Sequence, residues 1–267
     1  MGATQMDLQL TGKRVLVTGA SKGLGLGIVR AFAAEGAEVV AVARRSTPEL
    51  DATGVRFVAA DLTRPDGPRR AVEAALAVDP RLDVVVNNAG GGDLPTEAFG
   101  DLLEGDDDVW ADSLALNLFA ALRVLRAALP ALTEARGAVV NISSNAARLA
   151  GGGPLPYAAA KAALNLTSRV LAERLAGSGV RINTVSPAGV RSYTQEGPDG
   201  YVARLAAHLG MDHAALLARL PAQGGMLTGR LAEPDEVARA VLLLASPAMP
   251  SAIGQNWSVD AGAVKAV

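Results

Sequence analysis

Seven short apolar runs, alternating with helical patterns, constrain this chain more than any other feature. The runs are Arg14–Thr18, Ala37–Ala43, Val55–Ala59, Leu82–Val86, Ala138–Ser143, Val180–Val185 and a late one near Gln255–Val259. Helical patterns follow the first run through Ile28, Val29 and Phe32 to Gly36, and fill Asp66–Val78, Asp107–Leu132, Leu155–Ala176 and Pro234–Ala245. Strands separated by helices of that length predict βαβ units, hence a parallel sheet with helices on both faces. Unbroken Val84-Val-Val86 suits a strand buried on both sides rather than on one. The expected fold class is therefore α/β, a doubly wound parallel sheet. No Pro/Ser-rich linker, repeat or low-complexity block divides the chain, so residues 1–267 read as one domain.

Composition removes several chemistries. Cysteine is absent, which excludes disulfides, thiolate nucleophiles and cysteine–zinc sites. The two histidines, His208 and His213, give little material for a histidine-based triad or a metal site, and they read as exposed or lid residues. No metal is expected. The net charge of −2 carries no basic excess that would point to nucleic acid. The N-terminus lacks the shape of a signal peptide, and no apolar stretch reads as long enough to span a bilayer. The expectation is a cytoplasmic protein with no membrane partner. The acidic run Glu104-Gly-Asp-Asp-Asp108 reads as a solvated loop that favours the helix N-terminus after it.

Three stretches suit a dinucleotide. Thr18-Gly-Ala-Ser-Lys-Gly-Leu-Gly25 lies between the first strand and the first helix, and offers Gly19, Ser21, Lys22, Gly23, Leu24 and Gly25 to a pyrophosphate. Glycines there allow close backbone approach, and the helix N-terminus presents unpaired N–H groups to an anion. After the second strand an acidic residue would bind a ribose 2′-hydroxyl and repel a 2′-phosphate. This chain has Arg44 and Arg45 there, with Lys22 in the glycine loop nearby, so a phosphate of about −1.5 to −2 charges meets up to three cations. That favours NADP(H). Asp61, with Leu62 beside it, can accept from an adenine amine, and Asn87-Asn-Ala-Gly90 offers Asn88, Ala89 and Gly90 to backbone or cofactor. All these lie at strand C-terminal ends, where open parallel sheets collect ligands.

Tyr157 and Lys161 are four residues apart on a predicted helix and share a face. A neighbouring ammonium is expected to lower the phenol pKa, fitting Tyr157 to give or take a hydroxyl proton. Ser144, at the end of a predicted strand, can project a hydroxyl to hold a carbonyl oxygen.

Together these stretches resemble the short-chain dehydrogenase/reductase family in its compact single-domain branch, whose fold is Rossmann-like. The ordered set is Thr18-Gly-x-x-x-Gly-x-Gly25, Asp61, Asn87-Asn-Ala-Gly90, Asn117, Ser144, Tyr157-x-x-x-Lys161 and Asn183-x-Val-x-Pro187. The resemblance runs from about Leu10 to Gly262. It implies Tyr157 as general acid/base, Lys161 as the group that lowers its pKa and binds the nicotinamide ribose, Ser144 as holder of the substrate oxygen, and Asn117 as positioner of a water in a proton relay. Ser144 rather than Ser143 has the family spacing to Tyr157. After the sixth strand the family pattern Pro-Gly-x-Ile/Val-x-Thr reads Pro187-Ala-Gly-Val-Arg-Ser192 here. Val190 is expected to offer backbone to the nicotinamide carboxamide, and Ser192 keeps a hydroxyl, while Ala188 stands in place of a glycine. The same resemblance implies a homodimer or homotetramer through the two long helices and the last strand.

Residues of about 190–230 occupy the family's substrate lid. Tyr201, Val202, Leu205, Leu209, Leu216, Leu217 and Leu220 predict two short amphipathic helices around Gly210. Those leucines either cover a sizeable apolar ketone or pack against the domain or a second subunit. The expected function is an NADP(H)-dependent carbonyl reductase or alcohol dehydrogenase acting on a medium-to-large or apolar ketone or secondary alcohol. The rivals are a non-catalytic NADP-binding redox regulator and a family member doing dehydration or isomerisation.

Overall fold

The computed structural model describes residues 6–91, 107–149 and 153–265. Most of the acidic run lies outside them; Asp107 and Asp108 occupy the first turn of a helix.

The seven strands are β1 (Arg14–Thr18), β2 (Glu38–Ala43), β3 (Arg56–Ala59), β4 (Val84–Asn87), β5 (Ala138–Ile142), β6 (Arg181–Pro187) and β7 (Asn256–Val259). All pair in parallel, in the order β3-β2-β1-β4-β5-β6-β7. The winding therefore reverses between β1 and β4, opening the crevice where ligands of such sheets collect. Every predicted run is a strand, within two residues at either end. The helices are α1 (Gly23–Ala34), α2 (Pro48–Asp51), α3 (Gly67–Leu76), α4 (Asp107–Leu114), α5 (Ala120–Ala135), α6 (Leu155–Leu175), α7 (Tyr193–Glu196), α8 (Tyr201–His208), α9 (His213–Gln223) and α10 (Pro234–Ala245).

Two apolar layers sandwich the sheet. On one face Ile28, Val29 and Phe32 of α1 and Val237, Val241 and Leu244 of α10 pack on Val15, Val17 and Val140. On the other, Val72 of α3 and Val124, Ala128 and Leu132 of α5 pack on Leu16, Val85 and Val139. Gly27 lets α1 approach α10 closely, since a Cβ there would sit 3.0 Å from Cβ of Pro234. The buried Arg181 ties the layers: its guanidinium donates to the carbonyls of Leu244, Ala245, Ser246 and Ala252 at 2.9–3.2 Å. Those carbonyls include the unpaired C-terminal end of α10, which the cation satisfies.

The stretch expected to be one helix over Asp107–Leu132 is helical through Ala135 but not uniform. Ala115–Phe119 forms a π-helical turn between α4 and α5. By length and composition Asp107–Ala135 could cross a membrane, contrary to the expectation that no stretch could. Its apolar face, however, is spent on the sheet through Val124, Ala128 and Leu132.

Between β6 and α10 lie α7, α8 and α9. Asp212 caps α9 by accepting from the Ala215 amide at 2.9 Å, and Gly210 turns the chain between the two amphipathic helices with φ of +64°. Val202, Ala206 and Leu216 are buried against one another, with Leu205, Leu217 and Leu220 around them. The leucines thus largely form a small core of their own. The ring of His213 meets the Gln195 carbonyl at 2.9 Å and ties α9 to α7. Ala188, in place of a glycine, takes no left-handed conformation, so the exchange costs no backbone strain.

Candidate active site

The glycine loop is built for close approach. Gly19 has φ of +64°, and a Cβ there would lie 2.8 Å from Cα of Ala89; one on Gly25 would strike the Gly19 carbonyl. Asn88 braces this turn rather than facing outward: its side-chain amide donates to the Thr18 and Gly19 carbonyls at 3.0 and 3.1 Å. The Thr18 hydroxyl in turn accepts from the amides of Asn88 and Ala89. A Cβ on Gly90 would meet Asn117 Oδ1 and Lys161 Nζ, both at 2.9 Å. The loop, the end of β4, Asn117 and Lys161 therefore converge at the switch point. This glycine-lined cradle, open only because side chains are missing, fits a dinucleotide backbone.

At the other end of the crevice Asp61 Oδ1 accepts from the amide and hydroxyl of Thr63 at 3.0 and 2.7 Å, which holds its carboxyl below the usual range, with Arg44 assisting. Leu62 is buried, whereas Arg44 and Arg45 are exposed. Thr47 clamps the segment after them to the glycine loop, donating its hydroxyl to the Ser21 carbonyl at 2.7 Å. Lys22 is engaged by the lid. Its ammonium lies 3.8 Å from the ring centre of Tyr193 in α7.

Asn117 sits in the π turn and is 1% exposed. Its side chain accepts from the Gly91 amide at 2.9 Å and donates to the carbonyls of Gly91 and Ser113 at 3.1 and 3.0 Å. Single π turns often mark functional positions, because the extra residue re-aims the helix. The two adjacent serines separate cleanly. Ser143 donates to the Lys161 carbonyl at 3.3 Å, on the backbone of α6. Ser144 has extended backbone, caps the 3₁₀ turn Asn145–Arg148 by accepting from the Ala146 amide, and faces the Tyr157 phenol.

Lys161 is almost fully buried and donates to the Ile142 carbonyl at 2.8 Å. Burial pushes its pKa down to about 8. Its ammonium is 5.7 Å from the centre of the Tyr157 ring. The expectation that this charge lowers the phenol pKa does not hold. Burial raises Tyr157 above its ordinary value, and the Ser144 hydroxyl is what pulls it back down. The reason is geometric: the ammonium is spent on a backbone carbonyl beyond the ring, while the phenol sits in a poorly solvated corner.

Pro187 ends β6 opposite Val259, and Val190 is bridged to Ala232. Ser192 starts α7 with its Cβ 3.3 Å from where a Cβ of Gly23 would be, so the root of this segment lies on the glycine loop. Sequence reasoning missed the amide relay behind the site. Asn87 donates to Asn141 at 2.9 Å, Asn141 to Ser168 at 2.8 Å, and Ser168 to the Leu164 carbonyl at 2.6 Å, locking β4, β5 and α6 together. The signal was a polar Asn141 within an otherwise apolar strand. Among the described residues no group of three or more His, Asp or Glu could hold a metal.

Residues 19–264 match the family model described as Enoyl-(Acyl carrier protein) reductase. The chain belongs to the short-chain dehydrogenase/reductase family. It is 34% identical to D-threitol dehydrogenase of Mycolicibacterium smegmatis, over 97% of this chain and 96% of that one. It is also 34% identical to bovine (Bos taurus) L-fucose dehydrogenase, over 91% and 86% of the two chains. Among solved structures it superposes on L-sorbose reductase from Gluconobacter frateurii, determined with NADPH and L-sorbose, with a TM-score of 0.86 at 29% identity; the match covers 98% of this chain and all of that one. This short-chain dehydrogenase/reductase is thus an oxidoreductase acting between alcohol and ketone with a nicotinamide cofactor.

Proposed function

We propose that this enzyme reduces a small ketone bearing neighbouring hydroxyl groups, or oxidises the corresponding secondary alcohol, with NADP(H). The observation that carries the reading is the convergence of Ser144, Tyr157, Lys161 and Asn117 beside the glycine cradle. When bound, the nicotinamide supplies or accepts the hydride. Ser144 holds the substrate oxygen, and Tyr157, whose phenol burial keeps in its protonated form beyond the ordinary range, donates the proton that completes the hydroxyl. Lys161 holds the nicotinamide ribose, and Asn117 positions a water behind it. Gly19, Ser21, Gly23, Leu24 and Gly25 hold the pyrophosphate, Asp61, Leu62, Ala89 and Gly90 line the adenosine side, and Pro187, Val190 and Ser192 close on the carboxamide. Asn88 contributes by shaping the turn.

The NADP(H) preference is supported by Arg44 and Arg45 at the end of β2, where no carboxylate stands, and by the NADPH named in the sorbose reductase structure. The substrate class is supported by a polar neighbour of the reacting oxygen: Asn145 Oδ1 lies 3.5 Å from Ser144 Oγ. Most of the leucines of α8 and α9 serve their own core rather than a substrate surface. The threitol, fucose and sorbose relatives point the same way. The segment 190–230 would act as the lid. Exposed Leu166 and Val170 on α6 and Phe119 beside α5 support a homodimer or homotetramer through these helices. A cytoplasmic setting completes the reading.

The test is NADPH oxidation against ketoses, simple ketones, acyl thioesters and polycyclic ketones, with NADH in parallel. Turnover of ketoses that falls by about 10²–10⁴-fold in Tyr157→Phe, with NADPH affinity retained, is the expected result. Tight NADPH binding without turnover of any ketone would instead support the regulator, and preferred turnover of polycyclic ketones would overturn the substrate class.

A further inference from the structure

Lys22 has two claimants. The clamp from Thr47 to the Ser21 carbonyl places the glycine loop beside the segment that follows Arg44 and Arg45, where a 2′-phosphate would lie. Yet the Lys22 ammonium rests 3.8 Å above the Tyr193 ring, at the start of the lid. Tyr193 is itself fixed, because its hydroxyl donates to Asp199. The Asp199 carboxylate also attracts Lys22, as it does Arg204. Gly197 donates to the Tyr193 carbonyl at 2.8 Å, closing the turn that carries both partners. A ring face and a carboxylate thus hold a cation that a phosphate would also draw.

We propose that Tyr193 is a specificity-determining residue for the cofactor: it competes with the 2′-phosphate for Lys22, and thereby sets how strongly the enzyme prefers NADPH to NADH. The competition follows from linkage. A phosphate that recruits Lys22 must first displace it from the ring, so the free energy of the stack is subtracted from NADPH binding alone; NADH makes no such demand. This inference rests on the NADP(H) reading above.

The test measures dissociation constants of NADPH and NADH by calorimetry for the wild type, Lys22→Ala, Tyr193→Leu, Tyr193→Phe and the double variant Lys22→Ala/Tyr193→Leu. Tyr193 is 40% exposed, so its truncation leaves the core intact. Tyr193→Leu is expected to tighten NADPH about two- to fivefold, the strength of an exposed cation–ring contact, with NADH unchanged. Tyr193→Phe keeps the ring but releases it from Asp199, and is expected to fall between the wild type and Tyr193→Leu. In the Lys22→Ala background, Tyr193→Leu should have no further effect. Equal changes for NADPH and NADH, or an effect that survives Lys22→Ala, would overturn the proposal. If Lys22→Ala weakens NADPH but Tyr193→Leu leaves the ratio unmoved, the competition alone is refuted. If Lys22→Ala leaves the ratio unmoved, Lys22 does not meet the phosphate and its part in the NADP(H) reading falls too.

Discussion

Replacing Lys161 by Met should make this protein more stable at neutral pH while abolishing its turnover. Lys161 is 3% exposed, and burial takes its ammonium from its usual 10.5 to about 8. At ~1.4 kcal/mol per pH unit that gap amounts to roughly 3 kcal/mol. The sign follows from which state binds the proton more tightly. The folded pKa is below the unfolded one, so the penalty is complete below pH 8, shrinks as pH rises through 8, and is gone above 10.5. Met fills a similar volume without charge but strips the Ile142 carbonyl of its donor, a loss of about 1 kcal/mol. The variant is therefore expected to lead by about 2 kcal/mol at pH 7 and to trail slightly at pH 10.5. Urea unfolding of both proteins across that range, at one protein concentration, reads the difference and cancels groups that titrate alike in both. A stability gap that does not change with pH would refute the reasoning, since it would mean that the ammonium is well solvated in the folded state.

Other perturbations probe the remaining claims. Gly19→Ala forces a methyl to within 2.8 Å of Ala89 Cα at a φ of +64°, and is expected to cost about 2 kcal/mol of stability and to weaken NADPH binding at least tenfold, read by thermal melts and calorimetry. Arg181→Ala removes a buried cation from four carbonyls and is expected to cost about 3 kcal/mol or more; Arg181→Lys should restore little, because an ammonium cannot reproduce the planar fork. Because the Tyr157 phenol is raised, ketone reduction should hold steady through neutral pH and fall in the alkaline range, whereas alcohol oxidation should rise with pH. Steady-state profiles in both directions check this; a reduction rate that already falls below neutrality would show Tyr157 to be deprotonated there.

The middle of the sheet was legible in the sequence because β1, β2, β4 and β5 each carry a run of at least three Val, Leu or Ala residues, and a doubly buried parallel strand tolerates little else. The lid helices were legible for a similar reason, with Gly210 marking their junction. The π turn was not. Leu116-Asn-Leu118 reads as ordinary helix, and only the two-way bonding of Asn117 to Gly91, a residue 26 positions earlier, shows what the altered turn serves. Nor could sequence assign Lys22. It sits correctly for a phosphate, but its partner, Tyr193, comes from a segment whose approach to the glycine loop depends on the tertiary placement of Ser192 against Gly23.

The Tyr157–Lys161 pair shows how spacing and energetics part company. Four residues of helix do place the two side chains on one face, as periodicity requires. Their coupling depends instead on where the ammonium points, and it points to the Ile142 carbonyl. Desolvation then dominates each group, in opposite directions: the phenol is driven up against the Ser144 hydrogen bond and the ammonium down, each toward its neutral form. A raised phenol holds its proton more firmly and so favours donating one over abstracting one. A cation brought within reach of the phenol on binding would move it back down.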